Sequence, residues 1–269
     1  AFLGPIAAAE LRRRAGLPAA STAETVLLRP DLSGLLVLGA DADVDVGDGV
    51  AIDARGATSA LALVAGVDGY ELVAVDLASA RIARDLTRGV AAAAGSGSTR
   101  RLGGRLPHDE LVAWTAFVLA LTCADLVGVM RGAVQLARDY ATLRHQFGVP
   151  IGSFQAVQHL LADAFVASEG SASVTRHAAW AADRLPPQQA LQAAAVAKAY
   201  CARAARTVCE TAIQVHGGIG NTWDCIAHVY LRRALLSSQV LGDSGANLAR
   251  VIEYQEIGPG TGGIHSGLR

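Results

Sequence analysis

Two short clusters hold most of the residues able to do chemistry. In Tyr140-Ala141-Thr142-Leu143-Arg144-His145-Gln146-Phe147-Gly148-Val149-Pro150 a guanidinium, an amide and an aromatic ring meet at a Gly-Pro corner. Such a corner can clamp a pyrophosphate through the planar arginine fork and pack a flat ring. In Gln214-Val215-His216-Gly217-Gly218-Ile219-Gly220 three glycines fall within four residues, so the backbone can approach a ligand closely. Each has a plainer reading. Arg144 can be a cation answering the dipole of a helix C-terminus, and the glycines can simply stop a helix.

The carboxylates offer less. Asp243, in Leu241-Gly242-Asp243-Ser244, is a weak candidate for a proton-accepting base and reads more simply as a helix N-cap after a glycine break. Asp224 is expected to cap a last helix. Asp125 stands among Cys123, Leu126 and Val127, where an unpaired charge is costly, so pairing with an arginine such as Arg131 is expected. His145, His159 and His216 lie near the clusters without metal-ligand spacing, and no metal is expected. Cys123, Cys201, Cys209 and Cys225 stand in apolar helical context, read as buried thiols of a cytoplasmic protein and not as a disulfide framework.

These groups need a scaffold to position them. The 269 residues are 52% apolar and 17% charged with a net charge of −1, enough for a real core and too balanced for a field directed at nucleic acid or an anionic membrane. The longest apolar run, Trp114 to Met130, is broken by Thr122 and Asp125 and is shorter than the roughly 20 residues of a membrane span, so it reads as a core helix. The opening residues place their apolar run before the arginines, unlike a signal peptide, and start without Met, so the chain is expected to begin inside a longer gene product.

Composition changes near residue 105. Before it, short β-rich runs (Thr25 to Leu28, Gly34 to Leu38, Glu71 to Val75) with turns at Asp48-Gly49 and Asp68-Gly69 predict a small antiparallel β domain over residues 23–105, with a flexible connector at Ala91 to Ser98. After it, the pattern predicts a helix capped by Asp109 and running to about Arg144, then helices over about Ser153 to Asp183, Gln188 to Val215 and Cys225 to Glu253. The expected class is α+β: residues 1–22, residues 23–105 as the β domain, a four-helix bundle over 106–255 and a tail over 256–269. Apolar residues on several faces of the helices imply oligomerisation.

At this spacing the motifs Arg144-x-Gln146-Phe147-Gly148-x-Pro150, Phe154-Gln155-x-x-x-His159-x-Leu161-Ala162-Asp163, Gln214-x-His216-Gly217-Gly218-x-Gly220 and Tyr230-Leu231-Arg232-Arg233-Ala234 resemble the acyl-CoA dehydrogenase family. The resemblance implies an N-terminal helical domain, here mostly absent with 1–22 as its remnant, then a β domain and a C-terminal four-helix bundle. It also implies FAD, with Arg144 at the pyrophosphate of a neighbouring subunit's flavin, Gln146 and Phe147 along the dinucleotide, and Gln214, Gly217 and Gly218 at its adenosine.

The same resemblance points to what is missing. The family's glutamate base has two known positions, which here fall on Leu241 and near Val118. Neither residue can accept a proton. The family's flavin-ring segments, a Thr-Glu-Pro with Gly-Ser-Asp stretch and a Trp-Ile-Thr-Asn-like strand, have no counterpart. The expectation is a base-lacking subunit of an FAD-dependent acyl-CoA dehydrogenase that completes the FAD site of a catalytic partner in an α2β2 heterotetramer. The acyl-CoA, with a steroid-derived acyl group as the expected kind, then sits mainly on the partner. The alternatives are a self-sufficient dehydrogenase or related flavin oxidase or monooxygenase using Asp243, and a non-enzymatic helical interaction protein.

Overall fold

The computed structural model describes residues 2–39, 49–95 and 99–256. The expected turn at Asp48, the end of the Ala91 to Ser98 connector and the tail from 257 onward lie outside these residues. The order is α1 (Leu3–Arg14), then β1 (Glu24–Leu28), β2 (Val37–Leu38), β3 (Val50–Ile52), β4 (Ser59–Gly66), β5 (Gly69–Asp76), β6 (Arg81–Ile82), β7 (Gly89–Ala92) and β8 (Thr99–Leu106). The helical half follows: α2 (His108–Leu143), the short strands β9 (His145–Gln146) and β10 (Val149–Pro150), α3 (Gln155–Arg184), α4 (Pro187–His216), α5 (Ala227–Gln239) and α6 (Ser244–Glu256). The chain is α+β, a small sheet followed by a helical bundle.

The sheet runs β6-β7-β3-β1-β4-β5-β8, with β2 beside β4. It is not purely antiparallel. β1 and β2 both run parallel to β4, because the chain returns across the sheet between them instead of turning back in a hairpin. The period of two sorts the side chains. Leu61, Leu63 and Leu72 join the core shared with the helices, while Ala60, Ala62, Val64, Val73 and Val75 pack with Leu27 and Ala51 on the opposite face. Ala91 and Ala92, expected in a flexible connector, pair with β3 in β7, which lies between β6 and β3; pairing within the sheet overrides their low strand propensity.

The helix α1 lies against the sheet and α2. Arg12 forks onto Glu24 at 2.6 and 2.8 Å, and the Trp114 indole donates to the Ala7 carbonyl at 2.8 Å. Long α2, apolar enough by length and composition to cross a membrane, instead buries Trp114, Val118, Leu119, Cys123, Leu126 and Met130 in the core. Ala133, Ala137 and Ala141 recur every four residues on its buried stripe, and Ala205 and Ala212 are buried on the C-terminal half of α4, which packs along α2. Small side chains let these two helices pack closely.

Three helix-end expectations change. Asp109 does not cap α2; Pro107 precedes it without a side-chain cap, and Asp109 and Glu110 both sit in the first turn, where they still answer the dipole. Asp224 does not cap α5, which starts from Ile226. The expected last helix is two, broken at Val240 to Asp243, where Leu241 and Gly242 take φ of 58° and 92°. The cause lies in α4, described below.

Candidate functional site

Three helices alternate in direction, so the C-terminal ends of α2 and α4 lie together. There the Tyr140 ring stacks on the His216 imidazole at 4.4 Å between centroids and 26° between planes, while His216 Nδ1 donates to the Ala212 carbonyl at 2.7 Å. The two clusters are therefore neighbours at one end of the bundle.

Arg144 ends α2, and its carbonyl accepts from Ile151 N at 2.8 Å, closing a small hairpin of β9 and β10. The two residues between these strands, Phe147 and Gly148, both have positive φ, 52° and 80°, the geometry of a tight hairpin turn that normally prefers Asn-Gly. A phenylalanine in that conformation is strained by roughly 1 kcal/mol or more. Its ring nevertheless stands 93% exposed, touched edge-on by Phe154 at 6.3 Å. Arg144 and Gln146 are exposed too. Gln146 donates only to the neighbouring His145 carbonyl at 2.9 Å, and the Arg144 guanidinium has no ion-pair partner among the described residues.

Gln214, Gly217 and Gly218 face solvent beside this hairpin. The glycines differ in why they are glycine. A Cβ at Gly220 would stand 2.8 Å from the Ile213 carbonyl, and Gly217 has φ of 66°. Gly218 has neither constraint: a Cβ there meets nothing within 4 Å. The chain's own packing leaves that space open. Together the end offers a free guanidinium, two side-chain amides, an exposed ring and open glycine backbone, which fits an anionic dinucleotide in chemistry.

The break between α5 and α6 is organised by Lys198, the sole lysine of the sequence. Fully buried in α4, its ammonium donates to the carbonyls of Ser238, Val240 and Gly242 at 2.8, 2.9 and 2.8 Å. Three tetrahedral donors suit three carbonyls in a way that a planar guanidinium does not. Burial holds its pKa down to about 8. Leu241 N donates to the Leu32 carbonyl at 2.8 Å, and the Leu241 side chain is buried. Val118, on α2, is buried as well. Asp243 Oδ1 accepts from Ala246 N at 2.8 Å, the capping role.

Asp125 does not pair with Arg131, which instead meets Glu169 at 3.0 Å. α2 turns Asp125 toward the sheet, where it binds Arg233 on both oxygens and also accepts from Arg88 at 3.0 Å and Ser237 at 2.6 Å. Burial pushes its carboxyl upward, but the Arg233 hydrogen bonds and the Arg88 charge outweigh it and hold the pKa below the usual value. Fully buried Arg88 also reaches Asp53 at 3.2 Å and Asp85 at 3.5 Å, and Asp53 accepts from Gly4 N at 3.1 Å. One guanidinium thus joins the sheet to α2 and α5. Arg88, Lys198 and Tyr140 carried no role in the sequence reading; a lone lysine inside an alanine run was the one available signal among them.

Residues 119–255, just over half of the chain, match the family model described as acyl-CoA dehydrogenase, C-terminal domain. Acyl-CoA dehydrogenase FadE34 of Mycobacterium tuberculosis is 44% identical over 135 residues, 50% of this chain and 19% of that protein. The chain spans between about a fifth and a half of the length of the first curated relatives it matches. Among solved structures, the Tcur3481-Tcur3483 steroid ACAD has a TM-score of 0.78 at 24% identity, covering 95% of this chain and 76% of that one. The ChsE4-ChsE5 complex from Mycobacterium tuberculosis has a TM-score of 0.75 at 22% identity, covering 96% and 76%. At these identities the likeness is one of fold.

Proposed function

The chain belongs to the acyl-CoA dehydrogenase family, and from that premise we propose that it is a subunit without a base of its own, which completes the FAD site of a catalytic partner. The observation that carries this reading is Phe147, a strained and solvent-exposed ring beside an unpaired arginine and an open glycine loop. Nothing among the described residues rewards that arrangement, whereas a dinucleotide held across a subunit boundary would.

In this reading Arg144 binds the FAD pyrophosphate. Gln146 and Phe147 pack and hydrogen-bond along the dinucleotide. Gln214 and the backbone at Gly217 and Gly218 meet the adenosine end. A nearly neutral protein supplies no general attraction for a dianion, so the local guanidinium must provide it. Bound FAD supplies the hydride acceptor for α,β-dehydrogenation of an acyl-CoA thioester.

Proton removal falls to the partner. The resemblance puts the family's glutamate positions on Leu241 and near Val118, both buried and apolar here, and Asp243 is engaged as a cap. The α2β2 arrangement is supported by similarity to the named ChsE4-ChsE5 complex, and a steroid-derived acyl group by the steroid ACAD neighbour. The test is co-expression with the catalytic subunit and a count of flavins per tetramer. Two flavins, reduced in number by Arg144→Ala without loss of assembly, are expected; four flavins, or FAD content indifferent to Arg144→Ala, would overturn the reading.

A further inference from the structure

A second surface lies away from the Arg144 end. Four arginines gather around the hairpin of β6 and β7: Arg55 following β3, Arg81 in β6, Arg84 in the connecting loop and Arg232 on α5. Arg55 donates to the Leu86 carbonyl at 3.5 Å and Arg232 to the Arg84 carbonyl at 3.2 Å, so they bracket the loop from two sides. Arg55, Arg81 and Arg84 are exposed and Arg232 half-buried. None of the four forms an ion pair with a carboxylate among the described residues. Asp85, next to Arg84 in the chain, and Asp125 are committed to Arg88 and Arg233; exposed Asp224 forms no ion pair with the four.

Beside this rim stands Trp223, 76% exposed, with His228 against its ring at 4.9 Å and the Arg232 guanidinium 6.0 Å from its centroid. A groove of about 500 Å³ opens between α2 and α5, lined by Gly128, Val129, Ile226, Val229 and Tyr230. Thr87 and the Asp125 and Arg233 pair also line it, and Arg233 donates to Thr87 Oγ1 at 2.8 Å, which joins the groove to the arginine-rimmed loop between β6 and β7.

Four unmatched like charges repel one another, and an exposed tryptophan with Ile226 leaves apolar area in water. Arginine and tryptophan around an apolar pocket are the composition of an interface centre. The arginines are spread along the hairpin and do not converge on one point as they would for a single phosphate. We propose that this face docks an acidic segment of the catalytic partner subunit, one that seats a bulky apolar side chain in the groove and sets carboxylates against the arginine rim. The inference rests on the partner reading above, and it assigns that partner a second contact distinct from the shared coenzyme.

The experiment uses the co-expressed complex. Arg81→Glu with Arg84→Glu, and separately Trp223→Ala, are compared with the unaltered chain by subunit dissociation in analytical ultracentrifugation at low and high salt, with flavin counted in the assembled fraction. Thermal unfolding of each isolated variant verifies folding. The expected result is dissociation strengthened by about tenfold or more with the charge reversal, with a flattened salt dependence. Trp223→Ala should weaken assembly at all salt concentrations, and flavin per assembled tetramer should stay unchanged. Unaltered association and salt dependence would overturn the docking surface while leaving flavin sharing intact. Unaltered association together with lost binding of inorganic pyrophosphate would assign the rim to a small anion and equally overturn it. Failure of the unaltered chain to join any dehydrogenase subunit would remove the premise itself.

Discussion

The ring of Tyr140 lies on the imidazole of His216, 4.4 Å between centroids, and this contact ties the Arg144 end of α2 to the start of the glycine loop. Stacked pairs contribute about 0.5–1.5 kcal/mol beyond area burial. Tyr140→Ala is therefore expected to lower the stability of the isolated chain by about that amount plus a cavity cost, and to loosen flavin in the complex although neither residue is assigned to FAD. Absorbance of the flavin against protein content, alongside thermal unfolding, checks both halves.

Phe147 makes a prediction of opposite signs. Phe147→Asn relieves the left-handed strain and suits the turn, so the isolated chain should become more stable by roughly 1 kcal/mol. The same change should weaken FAD retention in the complex, because the ring is gone. Greater stability with unchanged flavin affinity would remove the ring from the proposed site.

Lys198 gives a pH dependence with a definite sign. Its folded-state pKa, about 8, lies below the ordinary value near 10.4 of the unfolded chain. Between these values the unfolded state binds more protons, so stability contributed by this group rises with pH across pH 8 to 10.5, by up to about 3 kcal/mol. Lys198→Met should lose that rise and, by stripping partners from buried carbonyls, cost about 2–4 kcal/mol at pH 7. Denaturant unfolding of both proteins at pH 7 and pH 10 reads the difference directly.

Asp243 separates the two enzymatic readings. Asn caps a helix as well as Asp, so Asp243→Asn should leave stability within about 0.5 kcal/mol and leave turnover of the complex unchanged. A large fall in turnover with intact folding would give this carboxyl a proton-transfer role.

Much of this architecture was legible because periodicity and punctuation are local. Pro107, Pro186-Pro187 and Gly217-Gly218 mark ends of α2, α3 and α4 to within a residue or two. The division of the last helix was legible only in part: Asp243 reads as an N-cap after a glycine break, as it is, yet the hydrophobic pattern runs on as one helix over about Cys225 to Glu253. Leu241-Gly242 is an ordinary helix-tolerated pair until a buried ammonium from another helix claims the carbonyls around it. Asp125 failed for a related reason. Arg131 is near in sequence, but α2 directs the two side chains to different faces, and the partners come from β7's approach and from α5. The Arg144 and Gly217 clusters could be read as a pair only through resemblance, since their proximity depends on three alternating helices.

Arg88 carries one more implication. A guanidinium shared by Asp53, Asp85 and Asp125, with Arg233 and Ser237 closing the ring, leaves no slack for the strands to hinge or slide over the rods. The sheet, α2 and α5 are thereby clamped at one point, so in the proposed assembly the breathing that admits or releases a bulky thioester is assigned to the companion subunit.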